Sequence, residues 1–201
     1  MQLYFLPGAC SLAAHIALHE AGLPFTAVKV DGATKTANGV DYLAINPKGY
    51  VPALKLGNGE VLTECTAVLP YIADQASEKR LAPPAGTLAR YRLHEWLGYI
   101  NSEVHKGFSA FFTPGTTDAA KEAARANLDK KFQFLQKQLS GREYLLPDGY
   151  SVADCYLFTV LGWLGYLKID IGQWPVLKAY RERIMNRPAV QAALRAEGLL
   201  Q

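Results

Sequence analysis

The chain has 201 residues, half of them hydrophobic, enough to bury a core in one large or two small units without disulfides or a structural metal. Its formal charge of +3 is small, and Lys and Arg are scattered among Asp and Glu, which excludes a basic, aromatic-interleaved face for nucleic acid. Three widely spaced cysteines, Cys10, Cys65 and Cys155, form no CxxC pair and no zinc-spaced cluster, so a metal site or a secreted disulfide framework is not expected and a reducing compartment is.

Gln2 to Phe5 is a short β-rich run stopped by Pro7-Gly8, before any signal-like apolar segment can develop. Ser11 to Ala21 carries Leu12, Ala13, Ile16 and Ala17 at helical spacing and ends at Gly22, where a helix C-terminal glycine belongs. Phe25 to Val30 reads as a second strand, whereas Gly32 to Val40 has no clear period and reads as a loop or a weak helix. Pro52 to Leu56 and Glu60 to Thr63 flank Gly57-Asn58-Gly59 as a hairpin, and a helix follows from about Glu64 to Ala76, with Pro70 inside it expected to bend it. The order predicts a mixed four-stranded sheet with helices on its faces.

Lys79 to Gly86, with Pro83-Pro84, reads as a linker, and beyond it strand signals almost vanish. Long helices are predicted over Thr87 to Phe108 and Asp118 to Leu139, and Ser151-Val152-Ala153-Asp154 reads as a capping box opening an apolar helix to Leu167. Trp174-Pro175 and Arg187-Pro188 start two short amphipathic helices. The expected organisation is an α/β unit over 1–78, a linker over 79–86 and an all-helical unit over 87–201. No stretch is apolar for the roughly eighteen residues of a membrane span, so a cytoplasmic protein that avoids membranes is expected.

Cys10 follows a strand and a turn and immediately precedes a helix, where free N–H groups and the helix dipole stabilise an anion. A thiol there loses its proton more readily, and the thiolate is the reactive form. Ser11 is positioned to donate a hydrogen bond to the same sulfur or to a ligand's. The competing reading makes Cys10 a small hydrophobe beside the sheet. Val51-Pro52 is either a cis bond that offers the Val51 backbone to an extended peptide ligand or an ordinary proline entering an edge strand. Glu64, Cys65 and Thr66 open a helix whose N–H groups suit a carboxylate while Glu64 suits an ammonium group; the alternative is simple capping. His105-Lys106 reads as a positive pair beside an anion or as a solvated helix end. Trp163 and Tyr166 are either core or pocket wall.

Read together, Pro7-Gly8-Ala9-Cys10-Ser11, Asn46-Pro47-Lys48-Gly49-Tyr50-Val51-Pro52-Ala53-Leu54 and Leu62-Thr63-Glu64 closely resemble the bacterial beta-class glutathione transferases. Glu95-Trp96-Leu97, Glu103-Val104-His105-Lys106-Gly107, Leu161-Gly162-Trp163 and Ala196-Glu197-Gly198-Leu199 extend the resemblance along essentially the whole chain. It implies a thioredoxin-like N-terminal domain, an all-helical C-terminal domain and a homodimer. It also implies that Cys10 contacts or covalently holds glutathione, that Pro52 is cis, and that Val51 pairs with the cysteinyl part. By the same resemblance Glu64 and Cys65 hold the γ-glutamyl end, Lys35 and Lys106 meet the glycyl carboxylate, and His105 lies near the sulfur. Ser102 and Glu103 would reach glutathione on the other subunit, and Trp163 and Tyr166 would wall the electrophile pocket. Two positions depart from the pattern: Cys65 stands where glycine or serine is usual, and Gly98 where close relatives place an asparagine on glutathione. Losing one such contact costs about 1 kcal/mol, so weakened binding is expected.

The activity this implies is attack of a glutathione thiolate on a small hydrophobic electrophile, with no metal. The helix N-terminus, Cys10 or Ser11, and His105-Lys106 would stabilise the thiolate. One alternative is a mixed disulfide at Cys10 that reduces disulfides or removes halogen, restricted to one thiol because no cysteine lies three positions on. Another is a glutathione-binding protein without turnover. Cys65 is a further candidate for oxidation or glutathionylation, against a buried thiol that merely replaces glycine.

Overall fold

A computed structural model describes residues 1–200. β1 (Gln2–Phe5) alternates its side chains across the sheet, sending Leu3 and Phe5 to one core and Tyr4 to the other. It pairs in parallel with β2 (Thr26–Asp31) and antiparallel with β5 (Ala53–Lys55), which forms the expected hairpin with β6 (Val61–Thr63). Between β1 and β2 runs α1 (Ser11–Ala21), ended by Gly22 at φ +65°. Its residues from Ser11 to Leu18 are all buried, because the helix lies between the sheet and the C-terminal helices.

The sheet has six strands, in the order β4-β3-β2-β1-β5-β6. The stretch read as a loop or weak helix forms a small hairpin, β3 (Thr36–Ala37) and β4 (Val40–Asp41). Asn38 and Gly39 join these strands at φ +50° and +77°, the backbone of a two-residue turn favoured by the Asn-Gly pair. The β-α-β then β-β-α core is nonetheless the thioredoxin-like arrangement expected. α2 (Cys65–Asp74) runs on through the buried Pro70 as one helix.

The helices after the linker pack on α1 and α2. α3 (Leu88–Tyr99) does not continue to Phe108 as predicted. Ile100–His105 widens into a π-helical turn and Lys106–Phe108 tightens into a 3-10 turn before the short α4 (Ser109–Phe112). A π turn inserts residues without ending the helix, and such turns recur at functional sites. α5 (Asp118–Leu139) lies against it at Gly107, where a Cβ would come within 2.7 Å of Leu128 Cδ2.

α6 (Val152–Tyr166), buried along its first ten residues, is the central post, packed against α1, α2, α3 and α7 (Pro175–Met185), while α8 (Pro188–Ala196) lies against α1 and α7. The predicted capping box forms: the Asp154 carboxylate accepts from Ser151 N (2.8 Å) and Ser151 Oγ (3.0 Å). It also accepts from Leu145 N (3.0 Å) and Tyr180 Oη (2.8 Å), so this buried carboxylate ties the preceding loop and α7 to the start of α6.

Candidate active site

The turn between β1 and α1 is held from the far end of the sequence. Gly8, at φ +71°, donates its N–H to Glu197 Oε2 (2.8 Å) and accepts at its carbonyl from Trp163 Nε1 (2.8 Å). The other Glu197 oxygen lies 2.9 Å from Nδ1 of buried His15 on α1. The residue two beyond Gly8 is therefore presented by a turn clamped on both sides.

That residue is Cys10, the N-cap of α1, half-buried, with Sγ 3.0 Å from the Val51 carbonyl. The Val51–Pro52 bond is cis. The Cys65 thiol, hydrogen-bonding to the Cys10 sulfur, holds the Cys10 pKa below the ordinary thiol value. Burial opposes this, the backbone N–H of Cys10 and the Lys106 charge assist, and Glu64 opposes. The Val51 contact suits a protonated thiol, since a carbonyl oxygen repels a thiolate; ionisation releases it toward the N–H groups of α1.

Cys65 opens α2, buried, with Sγ 3.6 Å from the Cys10 carbonyl. Glu64 before it sits at φ +71°, a backbone that costs a non-glycine residue about 1–3 kcal/mol and recurs where function demands it. Its side chain does not cap α2 but turns to Lys48 Nζ (2.9 Å), which also donates to Thr63 Oγ1 (3.0 Å). The N–H groups of Cys65 and Thr66 thus have no side-chain cap, and a carboxylate and an ammonium stand beside them. Lys35, at φ +54°, donates to the Gly49 carbonyl (3.2 Å) in the same loop region.

Ser11 does not face the sulfur. It is buried, and its hydroxyl pairs with both N and O of Leu6 (3.2 Å each), bracing the turn. His105 and Lys106 are not a positive pair either. Burial first, and the Lys106 charge second, push the His105 pKa down to about 4 against the pull of Glu64, so the imidazole is neutral at pH 7 and the positive charge belongs to Lys106. Ser102 is exposed with its hydroxyl on Gly98 O (3.0 Å), and Glu103 pairs with Lys131 of α5.

A cavity of about 720 Å3 opens beside Cys10. Trp163 and Tyr166 line it with His105, Phe112 and Phe158. The Trp163 ring packs edge-on to His105 (4.8 Å between centroids) and Phe112 (5.6 Å). Among its lining residues Arg181 alone is a Lys, Arg, Asp or Glu; its guanidinium lies 5.3 Å from the Phe158 centroid, and its buried Nε has no hydrogen-bond partner among the described residues.

Sequence reading missed Arg181, Lys48 and a buried polar thread. Tyr156 Oη, inside the apolar α6, lies 2.6 Å from His105 Nδ1 and 3.0 Å from Asn101 Oδ1. The signal available was a phenol in an apolar helix, which needs a partner when buried. Among the described residues no three His, Cys, Asp or Glu side chains are grouped to hold a metal ion, and no helix is long and apolar enough to cross a membrane.

Family models agree with this geometry: the glutathione S-transferase N-terminal domain matches residues 8–75 and the C-terminal domain residues 99–188. The chain belongs to the glutathione S-transferase family. It is 44% identical to glutathione S-transferase GstA of Escherichia coli O157:H7, over 99% of this chain and all of that one. A bacterial beta-class glutathione S-transferase of Sphingomonas chungbukensis superposes with a TM-score of 0.97 at 51% identity, covering the whole of both chains. A sphingomonad glutathione S-transferase complexed with glutathione gives 0.96 at 50% identity, over 99% of this chain and all of that one. The protein is a beta-class glutathione transferase.

Proposed function

We propose that this transferase lays glutathione along residues 1–78, with its sulfur beside Cys10, and adds the thiolate to a small hydrophobic electrophile held against residues 87–201. The observation that carries this is the sharing of one cavity by Cys10, at the N-terminus of α1, and the aromatic wall of Trp163, Phe112 and Tyr166. In this reading Val51 and the cis Pro52 meet the cysteinyl part, and the N–H groups of Cys65 and Thr66 with Glu64 take the γ-glutamyl end. Lys35 and Lys106 meet the glycyl carboxylate.

The α1 N-terminus and Lys106 favour an anion at the sulfur. A helix terminus supplies about 0.3–1 kcal/mol, up to about 2 when partly buried, so one pKa unit and a tenfold larger thiolate fraction are within its reach. Neutral His105 contributes a hydrogen-bonding nitrogen and no charge. Arg181, the one Lys, Arg, Asp or Glu on that wall and with its Nε unpartnered among the described residues, supports electrophiles that carry an anionic group, since an acid there gives the guanidinium the partner it lacks. Exposed Tyr50, Leu88 and Tyr91 support a homodimer, in which Ser102 and Glu103 reach the partner subunit's site. Three unpaired cysteines fit a cytoplasmic setting.

The test is conjugation of glutathione to an aryl halide by wild type and Cys10→Ala. Because the nucleophile is glutathione's own sulfur, Cys10→Ala keeps turnover within about tenfold of wild type and loses the capacity for a mixed disulfide at position 10. Complete loss of turnover would make the Cys10 thiol itself the reacting group and overturn the conjugation scheme.

A further inference from the structure

We propose that Cys65 is the resolving thiol for a disulfide formed at Cys10. The inference rests on the reading that Cys10 takes up glutathione as a mixed disulfide, and it adds a partner that no CxxC spacing announces. The partner comes from the next helix: the turns before α1 and before α2 bring two helix N-termini together, with Cys65 Sγ 3.6 Å from the Cys10 carbonyl.

The two sulfurs have opposite exposures. Cys10 lines the cavity, whereas Cys65 is only 4% exposed and lies behind it, off the cavity wall. Disulfide exchange proceeds by thiolate attack on one sulfur as another departs. A glutathionyl group bound to Cys10 from the cleft departs into the cleft, while Cys65 attacks from the protein side.

The Cys65 thiol donates to the Cys10 carbonyl at 3.6 Å, which keeps it beside the residue it would attack. The Cys65 thiol is held protonated chiefly by its hydrogen bond to Cys10, then by burial and by the Cys10 charge. Two of those three causes vanish once Cys10 carries an uncharged disulfide. Cys65 therefore stays silent while Cys10 is a free thiolate and becomes easier to ionise when Cys10 is capped.

The steps balance with glutathione disulfide as oxidant. The Cys10 thiolate attacks it, forming the Cys10–glutathione disulfide and releasing one glutathione thiolate. Cys65 gives up its proton to the first glutathione thiolate released, and its own thiolate attacks the Cys10 sulfur. The Cys10–glutathione bond breaks, a second glutathione thiolate leaves, and a Cys10–Cys65 disulfide remains. Two protein thiols are oxidised and one glutathione disulfide is reduced.

The experiment treats reduced wild type and Cys65→Ser with glutathione disulfide, quenches with acid, and reads intact mass and non-reduced tryptic peptides. Lys29, Lys35, Lys48 and Lys55 lie between the two cysteines, so trypsin separates them unless they are bonded. Wild type is expected to lose the mass of two hydrogen atoms and yield a Cys10–Cys65 linked peptide, while Cys65→Ser stops with one glutathione on Cys10. Wild type that stops at the Cys10 adduct, with no linked peptide, overturns the resolving role and leaves the mixed-disulfide reading standing. Absence of any modification at Cys10 in both proteins overturns that reading and this inference with it.

Discussion

Replacing Glu197 by alanine cuts the clamp that holds the active-site turn to the end of the chain. The carboxylate accepts from Gly8 N at 2.8 Å and faces His15 Nδ1 at 2.9 Å, with both acidic and imidazole side chains buried. Each of the two donors left stranded costs about 1–3 kcal/mol, toward the upper end because the lost acceptor is a carboxylate. A loss of about 3–5 kcal/mol is expected, a large part of the roughly 5–15 kcal/mol that stabilises a folded domain. Glu197→Gln keeps one acceptor and turns an amide N–H toward the other donor, so about 1–3 kcal/mol is expected there. Gly8 also loses one of its two anchors, leaving the Trp163 indole on its carbonyl. The turn carrying Cys10 then loosens, and KM for glutathione rises about three- to tenfold, some 1 kcal/mol. Urea unfolding measures the first quantity and steady-state kinetics at varied glutathione the second. A loss under about 1 kcal/mol for the alanine variant, with KM unchanged, refutes the clamp.

Arg181→Met is expected to lower kcat/KM for a carboxylate-bearing aryl electrophile about ten- to a hundredfold, the worth of a charge-assisted hydrogen bond at about 1.5–3 kcal/mol. A neutral analogue should change less than about threefold, so equal losses for the two substrates count against an anion-selective wall. His105, with its pKa pushed down to about 4 from 6.5, is neutral in the folded chain where the unfolded chain is partly protonated. The unfolded state then binds more protons, so stability falls as pH drops from about 6.5 toward 4, by up to about 3 kcal/mol. His105→Gln should flatten that part of the urea stability profile measured across pH, and an unchanged slope rejects the assignment. Light scattering at micromolar concentration is expected to give twice the chain mass, and Tyr91→Glu, which puts a charge on the exposed face of α3, to lower it; a monomer at all concentrations rejects the dimer.

The periodic parts of the fold were legible because burial writes itself into spacing: α1, the β5–β6 hairpin, α5 and the capping box at Ser151 and Asp154 follow from local pattern. The β3–β4 hairpin was missed although its signal is local, since two-residue strands give no periodicity and only Asn38-Gly39 speaks for them. The end of α3 was not legible at all. A π turn keeps nearly helical spacing, so Ile100 and Val104 look the same whether the ladder is regular or widened.

The site divides along the same line. Cys10 at a helix N-terminus is a local fact, readable from a strand, a Pro-Gly turn and the start of a helical pattern. What tunes Cys10 is not local: Cys65 lies 55 residues on, Val51 41 residues on, and the acid that fixes the preceding turn 189 residues beyond Gly8. Sequence pattern records that such residues are buried, never which pairs meet. Ser11 shows the cost, since its type and position suit a sulfur ligand while its hydroxyl is spent on Leu6. Tyr156 shows the converse, an apolar-helix residue whose hydroxyl meets Asn101 and His105, two side chains of the π turn. Its removal as Tyr156→Phe leaves the packing volume and strands Asn101 and His105, so the thread, not the core, is what that substitution interrogates.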